Sequence, residues 1–495
     1  MSVTPPDFDV LIVGAGISGI GMAAHLEMMC PDRSYTLLEQ RENLGGTWDL
    51  FRYPGIRSDS DMHTLGFNFE PWKEDESIAK GGRILNYLNR IADERGIREH
   101  IKTGHKVISA DFRHEDARWH ITVETSQGWQ VMTANWLHLG SGYYDYDQPF
   151  DAGFAGQNDF TGEILHPQFW PENADYTGKR VVVVGSGATA VTIVPVMAEK
   201  AAHVTMLQRT PTWIRAIPAK DKIANILRRI LPPSLAYRAT RLKNILLTDL
   251  MFKVSREKPE KVAQSLTKSA QEQLGDKYDP VALTPPYNPW DQRMCFIPDG
   301  DLFEAIKADK ATIVTDHIER FVAEGIKLKS GKTLPADIIV TATGLNLAVM
   351  GKIAVSLDGE KVTFSDHFYY KHCMFSNLPN FSSVFGYLNA SWTLRTDIVS
   401  EYVCNVLNLM TERGAEIASP ALPMDHDLKE DDIFDFSSGY LERAKHLLPK
   451  NAPTMPWRMN QDYRKDRKDL KNLPIDDGIL QFEQAREITS REAAE

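Results

Sequence analysis

Two glycine-rich turns, far apart in the chain, carry the pattern that binds dinucleotides. The first is GAGISG at residues 14–19, and the second is GSGATA at residues 185–190. In such a turn the first glycine permits a tight bend, the second admits the pyrophosphate, and the third position allows close helix packing. The helix that follows directs its first N–H groups at the phosphates. A chain that holds two dinucleotides can pass a hydride between them, which indicates an oxidoreductase. The turn residues expected to bind the two cofactors are Gly14, Gly16, Ser18 and Gly19, and Gly185, Gly187, Ala188 and Thr189.

The residues that follow each turn distinguish the two dinucleotides. Glu39 stands where an acidic residue binds a ribose hydroxyl, and it favours an unphosphorylated ribose, as in FAD. At the equivalent place the second unit has Arg209 and Thr210. A guanidinium can pair with a 2′-phosphate through two hydrogen bonds, whereas a carboxylate would repel it, so this unit favours NADPH over NADH. The alternative is that Arg209 is a solvated surface arginine.

Strand and helix patterns surround both turns in the way that a nucleotide-binding fold requires. Residues 10–13 and 181–184 are continuously apolar, as in parallel strands that are buried on both faces. Helices are expected over residues 20–28 and 191–200, and second strands over 35–39 and 203–209. Each unit is therefore βαβ. The predicted fold class is α/β, with two Rossmann-type dinucleotide-binding domains, one for FAD and one for NADPH.

Composition excludes several other classes of function. The 495 residues are 42% hydrophobic and 25% charged, as in a globular protein of two or three domains. A net charge of −11 argues against nucleic acid as a partner, because phosphate binding needs a basic face. The four cysteines form no C-x-x-C pair, so neither a zinc site nor a disulfide framework is indicated. No signal peptide or transmembrane segment is expected, and a reducing cytoplasm is the expected compartment.

Three further motifs narrow the chemistry. Residues 160–171 fit the pattern F-x-G-x3-H-x3-W-P through Phe160, Gly162, His166 and Trp170. Residues 45–59 fit G-G-x-W-x4-Y-P-G-x3-D, and residues 287–293 read YNPWDQR. Together these motifs resemble those of type I Baeyer–Villiger monooxygenases, the class B flavoproteins that insert one oxygen atom of O2 beside a ketone. The related N- and S-oxidising flavin monooxygenases carry Tyr or Phe where this chain has Trp170.

The resemblance assigns roles to residues of the second and third motifs. Asp59 corresponds to the active-site aspartate that hydrogen-bonds the catalytic arginine, and Arg293 corresponds to that arginine, which stabilises negative charge at the flavin. Taken alone, Asp59 or its neighbour Asp61 could instead cap a helix that begins near residue 62, and Arg293 could be structural. Gln292 replaces a lysine that many members use to hold NADPH, which leaves more of that task to Arg209. The loop residues expected to cover the flavin are Gly46, Thr47 and Trp48.

His166 has two interpretations. Its ordinary pKa lies near neutrality, so it could titrate during the reaction. We favour the second interpretation, in which His166 and Trp170 shape a hinge between the two domains, because the family signature lies in such a linker.

The resemblance also implies a domain order. The stretch that ends at Gly344 looks like the crossing from the NADPH domain back into the FAD domain. The FAD-binding domain would then comprise residues 1–150 and 345–495, the second part with a C-terminal tail. The NADPH-binding domain would comprise residues 151–344, with a helical insertion over about 212–290. The charged stretch 459–471 is expected to be a solvated helix or tail.

The activity that the resemblance implies uses FAD, NADPH and O2 to convert linear or aryl ketones to esters through a C4a-peroxyflavin, with sulfoxidation as a further activity. An N- or S-oxygenating flavin monooxygenase and a long-chain alkane monooxygenase are the main alternatives. A reductase without oxygen insertion and a nucleotide-binding sensor are two more. The partners are therefore a small hydrophobic ketone or sulfide and O2, and the sequence indicates no oligomeric state.

The segment 221–258 combines basic residues with apolar residues at helical spacing. Pro232 and Pro233 should divide it into two helices. As an amphipathic insertion it could make peripheral contact with a membrane or lipid droplet; the alternative is an ordinary packed helical pair.

Overall fold

The computed structural model describes residues 5–433 and 439–485. Its strands, in chain order, are β1 (Phe8–Val13), β2 (Tyr35–Leu38), β3 (Ile101–Lys102), β4 (Lys106–Arg113), β5 (Arg118–Thr125), β6 (Gly128–Leu139), β7 (Glu163–Leu165), β8 (Arg180–Val184), β9 (His203–Gln208), β10 (Ile214–Ile217), β11 (Cys295–Pro298), β12 (Ala311–Thr315), β13 (Ile318–Val322), β14 (Gly325–Leu328), β15 (Thr333–Pro335), β16 (Ile338–Thr341), β17 (Ala354–Leu357), β18 (Glu360–Lys361), β19 (Tyr369–Tyr370), β20 (Met374–Phe375), β21 (Phe381–Ser383), β22 (Ile417–Pro420) and β23 (Leu480–Glu483). Its α-helices are α1 (Ile17–Met29), α2 (Thr47–Leu50), α3 (Met62–Leu65), α4 (Gly81–Glu94), α5 (Ala188–Ala198), α6 (Lys222–Ile230), α7 (Pro233–Glu257), α8 (Pro259–Leu274), α9 (Pro280–Leu283), α10 (Asp301–Lys307), α11 (Trp392–Arg413), α12 (Gly439–Ala444) and α13 (Tyr463–Asn472).

The first glycine turn belongs to a nine-stranded sheet. Strand β1 pairs in parallel with both β2 and β6, and it lies inside the strand order β18-β17-β4-β5-β6-β1-β2-β3, with β21 added to β6. The residues of β1 from Val10 to Val13 are buried, which explains their continuous apolar run. This sheet takes its strands from residues 8–139 and again from residues 354–383.

The second glycine turn belongs to a five-stranded sheet with the order β12-β9-β8-β16-β7, in which every pairing is parallel. Its strands all lie between residues 163 and 341. The predicted α/β fold with two dinucleotide-binding units is confirmed. The first sheet combines strands that precede and follow those of the second sheet, and the domain boundaries at 150 and 344 stay predictions.

Helices α6 to α9 fill the interval between β10 and β11, where the sequence predicts a helical insertion. Helix α6 ends at Ile230 and α7 begins at Pro233, so the proline pair divides them. Helix α7 is fixed to the body of the protein by buried polar contacts. Arg241 Nη2 lies 2.8 Å from Asp397 Oδ2 on α11, and the Tyr237 hydroxyl donates to the Phe67 carbonyl over 2.7 Å.

The expectation that residues 459–471 form a solvated helix or tail is wrong at Met459, Asn460 and Asp466, which are buried. Helix α13 is densely charged, but its Asp466 is fully buried. Asp466 Oδ2 accepts hydrogen bonds from Arg395 over 3.0 Å and from the Tyr387 hydroxyl over 2.7 Å. A helix that is densely charged in sequence can still bury one carboxylate when that carboxylate pairs with a buried cation. Within the described ranges, no helix combines the length and apolarity needed to cross a membrane.

Candidate active site

The first glycine turn forms one wall of a cavity of about 470 Å³. The turn packs tightly against the loop after β6. Gly14 has φ +95°, and a Cβ there would lie 2.9 Å from the Gly140 carbonyl oxygen. A Cβ on Gly19 would lie only 1.9 Å from the Gly14 carbonyl oxygen. Glycine is therefore required at both positions, and Gly16, with Gly46 beside it, keeps the cavity wall free of side chains at this point.

Glu39 also lines this cavity, directly after β2, and is only 3% exposed. Its two carboxylate oxygens accept backbone N–H bonds from Ala15 over 2.9 Å and from Arg41 over 3.0 Å. Burial raises the pKa of the Glu39 carboxyl above its ordinary value. Each oxygen has a second lone pair, so the carboxylate can also accept from ribose hydroxyls.

Several aromatic side chains also line the first cavity. The rings of Tyr143 and Trp392 stack with centroids 5.1 Å apart, and Trp392 Nε1 donates to Ser18 Oγ over 2.8 Å. Trp48 and Thr47 line the same cavity at the start of α2. A glycine cradle for the pyrophosphate, a buried acid for the ribose and flat apolar walls for a ring system together fit FAD.

The second glycine turn has more open surroundings. Gly185 has φ +144°, and a Cβ there would lie 2.3 Å from the Ala342 carbonyl oxygen. At Gly187 and Gly344, in contrast, a Cβ would meet no atom of the described residues within 4 Å. Arg209 is exposed directly after β9, and the Thr210 carbonyl accepts a hydrogen bond from Ser186.

The residues expected to bind NADPH therefore divide into two groups. Ala188 and Thr189, at the start of α5, line the first cavity. Gly185, Gly187, Arg209, Thr210 and Gly344 lie outside the lining of both large cavities. Because Ala188 and Thr189 begin the helix that follows the second turn, α5 points its N-terminal end toward the first cavity. This arrangement suits hydride transfer, which requires the two rings to meet there.

Arg293 and Asp59 form an ion pair, with Nη2 and Oδ2 2.6 Å apart. About one third of each side chain is exposed, at 35% and 33% respectively. Both residues line the first cavity and also a second one of about 840 Å³. The neighbouring Asp61 instead caps α3 by accepting from the Thr64 N–H, so the capping interpretation holds for Asp61 and not for Asp59.

The second cavity lies between the helical insertion and the loops around α3 and α11. Its wall is mostly apolar, with Arg215, Lys243 and Arg256 among its charged residues. The large aliphatic side chains and the Phe and Trp rings that line it are Ile78, Ile217, Ile223, Ile245, Leu247, Met251, Phe252, Trp290, Met294, Phe296, Leu388 and Leu394. Fourteen charged residues line this cavity, but most of its surface is apolar. A mostly apolar surface is typical of a site for a hydrophobic small molecule.

The F-x-G-x3-H-x3-W-P segment lies outside the lining of both cavities. Phe160 is buried in the core behind the five-stranded sheet, and a Cβ on Gly162 would lie 2.3 Å from the Asp337 carbonyl oxygen. Burial lowers the pKa of His166, and its Nδ1 accepts from the Gln168 N–H. Trp170 packs partly buried against the core of the second unit. These placements put the segment in the second unit, where β7 pairs with β16. Both interpretations of His166, as a titrating group and as part of a hinge, stay predictions.

Sequence reasoning missed several residues that line the first cavity. Tyr143, Tyr144 and Tyr146 follow β6, and the Tyr143 and Tyr144 hydroxyls are 2.6 Å apart. The run SGYYDYDQ that contains these three tyrosines is a sequence signal that could have identified them. Trp392 begins α11, and nothing in its local sequence connects it with a glycine turn at residue 14.

Comparison with known proteins agrees with this geometry. A family model described as pyridine nucleotide-disulphide oxidoreductase matches residues 11–284. The FAD-containing monooxygenase EthA of Mycobacterium tuberculosis is 48% identical over 476 residues, covering 96% of this chain and 97% of that protein. A protein of Acinetobacter baylyi named "Probable FAD-binding monooxygenase AlmA" is 45% identical over 485 residues, covering 98% and 97%.

Solved structures share the fold at lower identity. A steroid monooxygenase bound to NADP superposes with a TM-score of 0.75 at 20% identity, covering 96% of this chain and 99% of that one. Cyclohexanone monooxygenase bound to ε-caprolactone gives 0.73 at 19%, with the same coverage. OTEMO in complex with FAD and NADP gives 0.72 at 21%, covering 94% and 98%. The predicted resemblance is confirmed, and the chain belongs to the family of FAD-containing monooxygenases.

Proposed function

We propose that this chain is a Baeyer–Villiger monooxygenase that uses NADPH and O2 to convert linear or aryl ketones to esters, and that it also oxidises sulfides. The observation that carries the proposal is the position of the Arg293–Asp59 pair. It lies where the cavity that fits FAD meets the large apolar cavity.

Bound FAD, once reduced by NADPH, supplies the activation of O2 and the transfer of one oxygen atom to the substrate. The protein supplies a fixed positive charge at the place where negative charge develops. A guanidinium keeps its proton at every pH at which an enzyme works, so Arg293 stays cationic. Asp59, 2.6 Å away, holds the guanidinium in one orientation before the reaction begins. Electrostatic stabilisation by such preorganised groups is usually the largest single contribution to catalysis.

The second cavity is the proposed substrate site. Its volume of about 840 Å³ and its apolar lining suit an alkyl or aryl chain, with the reacting carbonyl directed toward Arg293.

NADPH is the proposed electron donor. Arg209 is exposed at the end of β9, where it can reach a 2′-phosphate, and α5 directs its N-terminus toward the first cavity. The first unit has Glu39 at the equivalent position, where a carboxylate would repel a 2′-phosphate. The second unit has Arg209 there instead.

Product analysis by gas chromatography and mass spectrometry tests the proposal. The FAD-loaded enzyme is given NADPH, ¹⁸O2 and a linear long-chain 2-ketone, with an aryl thioether in a parallel reaction. An ester with one labelled oxygen is the expected product. Labelled sulfoxide without any ester would instead establish the N- or S-oxygenating alternative, and a labelled alcohol formed from an added alkane would establish the alkane monooxygenase.

The Arg293→Ala variant tests the residue that carries the proposal. We expect ester formation to fall by about 10²- to 10³-fold, as when a preorganised electrostatic group is removed, while FAD stays bound. Arg98→Ala is a matched control, because Arg98 also pairs with an aspartate, Asp93, but lies outside both cavities. Ester formation at the wild-type rate in Arg293→Ala would contradict the proposed mechanism.

A further inference from the structure

Exposed hydrophobic side chains are concentrated on two neighbouring helices, α6 and α7. Of the seventeen large hydrophobic residues that are exposed in the described part of the chain, eight lie between residues 223 and 250. Single exposed hydrophobic residues are normal, but a concentration of this kind marks an interaction surface. We name it the α6–α7 patch. Its seven stripe residues are Ile223, Ile226 and Ile230 on α6, and Leu235, Leu242, Leu246 and Leu250 on α7.

The spacing of these residues places them in one stripe on each helix. On α6 the intervals are three and four residues, and on α7 they are seven, four and four. At 3.6 residues per turn, each set falls on one face of its helix. Exposure ranges from 41% at Leu246 to 69% at Ile230, so no part of residues 5–433 and 439–485 covers these faces. The two helices are therefore amphipathic with their apolar faces outward.

The charge of this segment is opposite to that of the whole chain. Residues 220–258 contain ten Lys and Arg but only three Asp and Glu, whereas the whole chain carries −11. Lys222, Arg229, Arg238, Lys253 and Lys258 are exposed around the patch. An apolar stripe flanked by basic residues is the pattern of a helix that lies in the interface of an anionic bilayer.

We propose that the α6–α7 patch docks the enzyme on the surface of an anionic phospholipid bilayer. The charge argues for lipid over a second copy of the chain, because a two-fold dimer through this patch would bring two strongly basic surfaces together. The stripes enter the boundary between headgroups and acyl chains, while the exposed Lys and Arg side chains pair with lipid phosphates.

The patch is continuous with the second cavity. Ile223 belongs to the α6 stripe and also lines the cavity, and Leu247, next to Leu246, is both exposed and part of the cavity wall. Docking would therefore place the mouth of the cavity against the bilayer, where long-chain hydrophobic compounds accumulate. This consequence rests on the proposed function, since it takes the second cavity to be the substrate site; the docking itself does not.

Vesicle flotation tests the docking without any turnover. The FAD-loaded enzyme is mixed with vesicles of phosphatidylcholine and phosphatidylglycerol in a seven-to-three ratio, or of phosphatidylcholine alone. We expect the enzyme to float with the anionic vesicles and to be released by high salt. The double variant Leu242→Glu/Leu246→Glu should lose at least about tenfold in partitioning, because two charges replace inserted apolar side chains. Val131→Glu, at an equally exposed apolar position on β6, is the matched control.

Two further measurements separate the outcomes. Light scattering of the wild type and the double variant detects self-association. A wild-type dimer that dissociates in the variant, without flotation of either protein, would overturn the proposal in favour of a second copy.

Turnover is then compared for a short water-soluble ketone and for a long-chain ketone dissolved in the vesicles. The double variant should be unchanged on the first and slower on the second. Flotation without any ester would preserve the docking and contradict only the proposed function.

Discussion

The two glycine turns share a sequence pattern but differ in what surrounds them. The first turn is enclosed: Gly14 and Gly19 contact backbone atoms so closely that a Cβ would collide, and the acid Glu39 is buried. The second turn is crowded only at Gly185, whereas Gly187 faces open space and Arg209 is exposed.

This difference matches two kinds of ligand. A cofactor held within walls on all sides dissociates slowly, as a resident group must when it serves many turnovers. A cofactor bound on an open surface can exchange, as an electron donor must after each delivery. We infer that the enclosure, more than the glycine pattern, separates the resident FAD from the exchanging NADPH.

The largest expected effect comes from adding a side chain to the first glycine turn. In Gly14→Ala, the new Cβ lies 2.9 Å from the Gly140 carbonyl oxygen at a φ of +95°, a conformation that costs an L-residue about 1–3 kcal/mol before the contact is counted. We expect FAD binding about 100-fold weaker, measured by flavin content and fluorescence titration, with circular dichroism to confirm folding. Gly187→Ala is the control: it should retain FAD and raise only the KM for NADPH. Full flavin content in Gly14→Ala would contradict the inference that the close packing of the first turn is needed to hold FAD.

A smaller effect is expected at the open site. Arg209→Glu should raise the KM for NADPH by about 10- to 100-fold, because a charge-assisted hydrogen bond of about 1.5–3 kcal/mol becomes a repulsion. The KM for NADH and the FAD content should stay the same. Steady-state kinetics with both donors checks this, and equal losses for NADPH and NADH would assign Arg209 a structural role.

The smallest effect concerns the sheet behind the enclosed turn. His138, fully buried on β6, has a pKa lowered to about 3 by burial, against an ordinary value near 6.5. As the pH falls, the unfolded chain takes up this proton first. The contribution of neutral His138 to the free energy of unfolding is therefore complete above about pH 6.5. It is lost toward pH 3, at about 1.4 kcal/mol per pH unit. In His138→Asn, the unfolding free energy measured with denaturant should fall less steeply in this window, by about that slope.

Ser382→Ala is the control for this measurement. Ser382 Oγ lies 2.8 Å from His138 Nδ1, so the variant removes the hydrogen bond and keeps the imidazole. It should be destabilised at every pH while the wild-type slope persists. An unchanged slope in His138→Asn would mean that other groups dominate acid unfolding of this sheet.

Local sequence predicted the first glycine turn and the contact between Asp59 and Arg293, because each of these residues lies in a short motif. Strand, turn and helix follow one another around Gly14, and Asp59 and Arg293 each lie in a distinctive run. Trp392 was missed because its role arises only when α11 packs beside the turn. Asp466 was assigned to solvent because its helix is charged throughout, and only tertiary packing brings Arg395 against it.

The anchoring of α7 has a consequence for how this enzyme could change its substrates. Its N-terminal half is fixed by Tyr237 and Arg241, neither of which lines the second cavity. The side chains that shape the cavity come from its later turns, among them Leu247, Met251 and Phe252. Mutations can therefore accumulate in the later turns while the helix stays in register and the Arg293–Asp59 pair is untouched. Under the proposed function, α7 is therefore a natural place to diversify in directed evolution, since the residues that fix the helix and the Arg293–Asp59 pair lie elsewhere.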